Sequence, residues 1–217
     1  MLDAPVRRVL ERPLDRAASV LDRRWVTPDR LSLSGLALAL ASAVLAAFAL
    51  WPAALATWLV SRVLDGLDGP LARRRGGGTE AGGFLDITAD FAAYGAGVLG
   101  VALGATGALD GGSPQAWEWV GFLAVLLAYY VNGAAFLAFS SAAERLERQG
   151  RRARLDDGRT FSFIGGLAEG TETIVVHSLW LLVPGAAPVV AWVWAGVVGV
   201  SAVQRVLLGR RLLGAAR

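Results

Sequence analysis

Cysteine and lysine are absent, and histidine and methionine occur once each. Without cysteine there is no disulfide framework and no thiolate metal site. The 21 basic residues are therefore all arginine, and against 18 acidic residues they leave a formal charge of only +3. They fall in blocks between apolar runs rather than along one stripe, so the reading is no nucleic acid among the partners. What the chain has in excess is apolar. It is 55% hydrophobic over 217 residues with a mean hydropathy of +0.51, the composition of an integral membrane protein.

The first thirty residues are arginine-rich and reach no continuous apolar core before Leu31, unlike a cleavable signal peptide. Val6, Leu10, Leu14, Ala18, Leu21 and Trp25 recur at helical spacing with Arg8, Arg12, Arg16 and Arg23 between them. That pattern predicts an amphipathic helix on the membrane surface, kinked at Pro13. Residues 1–30 are thus expected to be a juxtamembrane segment, and 31–217 a transmembrane domain.

A membrane-crossing helix needs about 20 mostly apolar residues. The segments near 31–51, 54–73, 82–105, 116–139, 163–183 and 188–208 meet this, so the expected fold is all-α, a six-span polytopic protein preceded by the interfacial helix. Arginines occupy residues 7–30, 73–75, 145–159 and 205–217, whereas the connections at 51–53, 106–114 and 184–188 contain none. The arginine-bearing side is expected to be cytoplasmic, with both termini on it, in a cell inner or plasma membrane. Trp51, Trp117, Trp119, Trp192 and Trp194 mark the far interface.

Four aspartates interrupt this apolar sequence: Asp65 and Asp68 in the second span, Asp86 and Asp90 in the third. Residues three or four apart share a helix face, so each helix presents a two-carboxylate face. The connection between the spans is short, which predicts antiparallel neighbours whose acidic faces meet. An ionised carboxylate near a bilayer centre costs about 2.5–3.5 kcal/mol on insertion scales. A nearby arginine could neutralise one or two, but the oxygen-only set points to Mg²⁺, Mn²⁺ or Ca²⁺ rather than zinc or copper. Mg²⁺ commonly completes its shell with phosphate oxygens and water, so the site implies a phosphate-bearing substrate. A proton or cation pathway is the competing reading of the same residues.

From Asp65 to Asp90 the sequence reads D-x2-D-G-x2-A-R-x8-G-x3-D-x3-D, with Asp65, Asp68, Gly69, Ala72, Arg73, Gly82, Asp86 and Asp90 at the fixed positions. This resembles the signature of the CDP-alcohol phosphotransferase family, also called CDP-alcohol phosphatidyltransferases. The resemblance implies transfer of a substituted phosphate from a CDP-linked donor to an alcohol, with release of CMP. It makes Asp65, Asp68, Asp86 and Asp90 ligands of two Mg²⁺ or Mn²⁺ ions, with Asp90 also the general base. Asp65, Gly69, Ala72, Arg73 and Gly82 would bind the nucleotide, the small residues by close packing and Arg73 at the diphosphate. A CDP-diacylglycerol-type donor, phospholipid biosynthesis and a homodimer are further implications. The "TPDRLSLSG" stretch at 27–35 resembles the family's Thr-Pro entry to the first span, with Pro28 opening the helix and Ser32 or Ser34 either touching nucleotide or capping.

The signature does not name the acceptor alcohol, and "ITADFAAYG" after Asp86 matches no particular branch. Glu169 and Glu172 in the fifth span either line an acceptor pocket or form a salt bridge, for instance to Arg62 or Arg205. His177 reads as a structural histidine and Asn132 as an interhelical hydrogen-bonding residue. The arginine-rich loop 145–159 could bind a phosphorylated acceptor or anionic headgroups. Gly76–Gly78 reads as a flexible turn. The repeats Gly100-x3-Gly104 and Gly166-x3-Gly170 suit close helix contacts, within the bundle or between protomers. The rival functions are a CDP-alcohol:diacylglycerol phosphotransferase, an Mg²⁺-dependent membrane prenyltransferase and a divalent-cation transporter. Aspartate motifs of prenyltransferases lack the D-G-x2-A-R continuation, and a transporter leaves Arg73 and the fixed glycines unexplained.

Overall fold

The structure, a computed structural model, describes residues 3–149 and 169–215. Among them the chain is all-helical: α1 (Asp3–Leu21), α2 (Pro28–Ala47), α3 (Trp51–Arg74), α4 (Glu80–Ala105), α5 (Ala116–Arg148), α6 (Gly170–Leu182) and α7 (Ala187–Ala215), with a 3-10 turn at Pro184–Ala186. The helix starts follow local chemistry. Thr27, in extended backbone, accepts a hydrogen bond from the Arg30 amide at 3.2 Å, and Pro28 supplies the preset φ of a first helical residue. Thr79 caps α4 in the same way through the Gly82 amide at 3.0 Å.

Among the described residues, four stretches are long and apolar enough to cross a membrane: Pro28–Ala47, Glu80–Ala105, Ala116–Leu146 and Pro184–Gly214. The chain is an integral membrane protein. Helix α3 has 24 residues, enough length for a fifth crossing, but Arg62, Asp65, Asp68, Arg73 and Arg74 dilute its hydropathy. Helix α6 has 13 described residues, and the start of the expected fifth span, residues 163–168, lies outside the described part. So do Gly166 and most of the arginine-rich loop. Helix α5 runs past its expected end at 139 to Arg148, and α7 past 208 to Ala215. Their extensions pack together through Phe139, Ala143, Leu212 and Leu213.

In a bilayer, lipid solvates apolar side chains about as well as protein does, so close packing and hydrogen bonds hold helices together. Both are visible here. Gly100 and Gly104 of α4 lie against the Ala43 and Ala46 carbonyls of α2, so close that any Cβ there would overlap backbone. This glycine pair therefore serves packing inside the bundle. Ser42 of α2 donates to the Ala54 carbonyl of α3 at 2.7 Å. Between α3, α5, α6 and α7, His177 stacks on Trp58 at 5.0 Å and pairs with the Tyr129 hydroxyl at 3.1 Å, which accepts from Trp194 Nε1 at 2.7 Å. His177 is thus a core residue. Among the described residues, the buried Asn132 Oδ1 has no hydrogen-bond partner.

Helix α1 runs through Pro13 as one element. Part of its apolar stripe is spent on protein: Leu14, Ala18 and Leu21 pack with Leu67 and Leu71 of α3 and Val26 and Leu31 at the start of α2. Leu10 and Trp25 stay exposed, at 45% and 70%. Arg75, just beyond α3, grips the α1–α2 connection. It pairs with Asp22 at 2.7 Å and donates to the Val26 and Arg23 carbonyls at 2.7 and 2.9 Å.

Candidate active site

The two acidic helices are not packed directly on each other as their short connection suggested. Helix α2 lies between α3 and α4 and packs along both, while α3 and α4 meet chiefly through side chains. The reason is the row of small residues on α2. A Cβ on Gly35 would stand 3.2 Å from the Ser61 carbonyl and 3.6 Å from the Asp65 amide. Ala39, Ala43 and Ala46 continue the row as buried residues. This wedge keeps the axes of α3 and α4 apart while their carboxylates converge.

One oxygen from each of Asp65, Asp68 and Asp86 lies within 4.8 Å of the other two. Asp90, one turn further along α4, is engaged differently: its Oδ1 lies 2.9 Å from Arg62 Nη1, which is also 3.5 Å from Asp65 Oδ2. Sequence analysis offered Arg62 as a partner for Glu169 and Glu172. The fold turns it instead to the aspartates, because it sits one turn before Asp65 on the same face of α3. Asp68 is tied from α2, where Ser32 Oγ donates to its Oδ2 at 2.5 Å. Ser34 faces outward, exposed.

A cavity of about 430 Å³ opens beside this cluster, within the usual range of small-molecule sites. Asp68 and Asp86 line it together with Gly69, Ala72 and Gly82. Five of the eight signature positions thus form its floor and a wall of small side chains. Asp65 and Asp90 lie beyond the lining. Arg73 is exposed and also outside the lining, and its guanidinium reaches back towards Gly69, 3.5 Å from where a Cβ would be. Arg75, Gly77, Gly78, Thr79 and Gly83 line it as well, although the signature assigns none of them. Arg75 belongs to the arginine block at 73–75, and Gly77 and Gly78 to the flexible turn. The turn itself needs glycine, since Gly76 and Gly77 have φ of 101° and 113°.

The donor set fits a hard divalent cation: carboxylate oxygens only, from two helices, beside a cavity that admits further oxygen ligands. Arg62 meets two of the four carboxylates, Asp65 and Asp90, and no described ion pair engages Asp68 or Asp86.

Glu169 and Glu172 do local work at the start of α6. They form a reciprocal capping box, with the Glu169 amide donating to Glu172 Oε2 at 3.3 Å. Arg205 of α7 lies within electrostatic reach of Glu169, and its guanidinium carbon stands 5.4 Å from the Phe136 ring centroid. Neither glutamate lines the cavity described above.

Residues 25–201 match the CDP-alcohol phosphatidyltransferase family. The chain is 38% identical over 188 residues to the inner membrane protein YnjF of Escherichia coli, covering 85% of this chain and 83% of that one. It is 32% identical over 165 residues to a phosphatidylinositol phosphate synthase of Mycobacteroides abscessus, covering 73% of this chain and 63% of that protein. Among solved structures, the phosphatidylinositol phosphate synthase PgsA1 of Mycobacterium tuberculosis in complex with manganese and citrate aligns with a TM-score of 0.64 at 23% identity, over 91% and 88% of the two chains. The same enzyme with CDP-DAG bound aligns at 0.62 and 24%, over 91% and 94%. At those identities the likeness establishes a common fold. From the family match over most of its length and a relative well above 30% identity along most of both chains, the chain belongs to the CDP-alcohol phosphatidyltransferase family of integral membrane transferases.

Proposed function

We propose that this protein moves a phosphatidyl group from CDP-diacylglycerol to the hydroxyl of a small alcohol, phosphorylated or not, and releases CMP. The observation that carries the reading is the convergence of Asp65, Asp68 and Asp86 beside a cavity walled by Gly69, Ala72 and Gly82. The family match supports the reaction class, and the CDP-DAG-bound synthase of similar fold supports the donor.

In this account Asp65, Asp68, Asp86 and Asp90 hold two divalent ions, Mg²⁺ or Mn²⁺. When bound, they supply positive charge that stabilises the phosphoryl group and the leaving CMP oxygen. The chain's own residues do the rest. Gly69, Ala72 and Gly82 admit the cytidine diphosphate by presenting no bulk, and Arg73 meets the diphosphate from the rim with a planar donor fork. Ser32 holds the Asp68 carboxylate in one orientation. Asp90 takes the proton of the acceptor hydroxyl as its oxygen bonds to the phosphatidyl phosphorus and the bond to CMP breaks. Glu169 and Glu172 are assigned to the acceptor pocket on this reading, supported by their being carboxylates within an apolar span.

The same reading takes residues 1–30 as a juxtamembrane segment and 31–217 as one catalytic domain with α3 and α6 as the fifth and sixth crossings. The arginine blocks support an inner-membrane protein with its termini and site facing the cytoplasm. A homodimer is part of the proposal by family resemblance.

The test is CMP release by purified protein in detergent, given CDP-diacylglycerol, Mg²⁺ or Mn²⁺, and one acceptor at a time: glycerol 3-phosphate, inositol phosphate, inositol, serine or glycerol. Metal-dependent CMP release with one acceptor, lost in Asp90→Asn, is the expected result. Release only when a CDP-alcohol is paired with diacylglycerol would overturn the donor assignment.

A further inference from the structure

The cluster divides into two unequal parts. Asp65, Asp68 and Asp86 gather oxygens around one point, with Asp68 and Asp86 open to the cavity. Asp90 already has a cation, because Arg62 lies 2.9 Å from it. Arg62 is well held. It is 8% exposed, its Nε donates to Ser61 Oγ at 3.2 Å, and its guanidinium carbon lies 4.7 Å from the Trp58 ring centroid and 5.6 Å from that of Tyr94. Cation–π contacts at such distances favour a charge that is out of water. Unlike a flexible surface arginine, it loses little further entropy by staying on Asp90.

A metal ion that uses Asp90 must therefore share or take a carboxylate that Arg62 already neutralises, whereas an ion on Asp65, Asp68 and Asp86 meets that guanidinium only at the edge, 3.5 Å from Asp65. Resting on the metal-centre reading above, we propose that Arg62 is a positioning residue that fixes Asp90 and competes with the second metal ion. The centre then fills in order. The first ion binds Asp65, Asp68 and Asp86, and the second binds against Arg62 at lower affinity. Until then Arg62 keeps the Asp90 carboxylate aimed at one place.

The experiment is Mn²⁺ binding by full-length protein in detergent, read from the electron paramagnetic resonance of free Mn²⁺ without substrate or turnover. Wild type is expected to show two classes of site of unequal affinity. Asp90→Asn should remove the weaker class and leave the tighter one. Arg62→Gln should tighten the weaker class by about tenfold or more, since it removes a unit charge 2.9 Å from the Asp90 oxygen that the ion needs, worth at least that at the effective dielectric of a protein surface. The tighter class should move far less. Should Arg62→Gln fail to fold, Arg62→Lys supplies the test. Lysine keeps the charge but loses the Nε bond to Ser61 and the planar face on Trp58, so it should give an intermediate tightening. Unchanged or weaker second-class binding in a folded Arg62 variant overturns the proposal while the metal centre stands. No Mn²⁺ bound by wild type would overturn both.

Discussion

Replacing Ser32 with alanine should raise the metal requirement of the enzyme about 10- to 100-fold. Ser32 is 5% exposed; it lines the cavity beside Asp68 and is bonded to that carboxylate. Its hydroxyl proton has two nearby acceptors, Asp68 Oδ2 at 2.5 Å and the Pro28 carbonyl at 3.2 Å, and the shorter contact to the carboxylate takes it. A hydrogen bond to a charged acceptor is worth about 1.5–3 kcal/mol, and each 1.4 kcal/mol is a factor of ten. Groups that orient metal ligands typically carry 10- to 100-fold in metal affinity or activity, which is the same range. CMP release measured against Mn²⁺ concentration would read the effect as a rise in the half-saturating metal with a smaller change in maximal rate. The partner variant sharpens the test. In an Asp68→Asn background, Ser32→Ala should add little, because the two residues act as one unit. An unchanged Mn²⁺ dependence in Ser32→Ala, or a loss that simply adds to that of Asp68→Asn, would refute the reasoning.

Three further outcomes follow from the packing. Gly100→Leu should lower the unfolding midpoint in detergent by the equivalent of about 1–3 kcal/mol or prevent folding, because the new side chain meets the Ala43 backbone, which cannot rotate away. Tyr129→Phe removes the hydroxyl shared by Trp194 Nε1 and His177 Nε2. It should destabilise the bundle by about 1–3 kcal/mol, seen as an earlier thermal transition, while leaving the Mn²⁺ dependence of CMP release in place. Gly77→Ala forces a side chain onto φ of 113° with nothing within 4 Å of it. The expected penalty is the backbone strain of about 1–3 kcal/mol, accompanied by a raised KM for the donor, since Gly77 lines the cavity.

The parts of the site legible in sequence are those set by spacing along one helix. Asp65 with Asp68, and Asp86 with Asp90, share faces because helical geometry requires it, and Gly69, Ala72 and Gly82 follow from the same register. What was not legible depends on a third element. Nothing in residues 61–90 says that α2 will lie between α3 and α4, although the small residues Gly35, Ala39, Ala43 and Ala46 are its physical cause. Arg62 could be seen as a buried cation near carboxylates, yet its choice of Asp90 over Glu169 is fixed only once α4 docks. The same holds for Arg75 and Gly77, whose place in the cavity wall arises from the turn that joins α3 to α4. Hydropathy alone also undercounted α3, since the residues that build the site are those that dilute its apolar character. Glu169 and Glu172 carry a capping-box signal in their three-residue spacing, which becomes legible once α6 is seen to begin at Gly170.

The central claim is that the aspartate cluster is a metal-dependent phosphoryl-transfer centre. It is tested most directly by measuring bound Mn²⁺ and CMP release from CDP-diacylglycerol on the same preparations of wild type and Asp68→Asn. The account predicts that Mn²⁺ binding and CMP release fall together in the variant, and that excess chelator abolishes release by wild type. CMP release that survives in folded Asp68→Asn, or that proceeds undiminished in chelator, would contradict it.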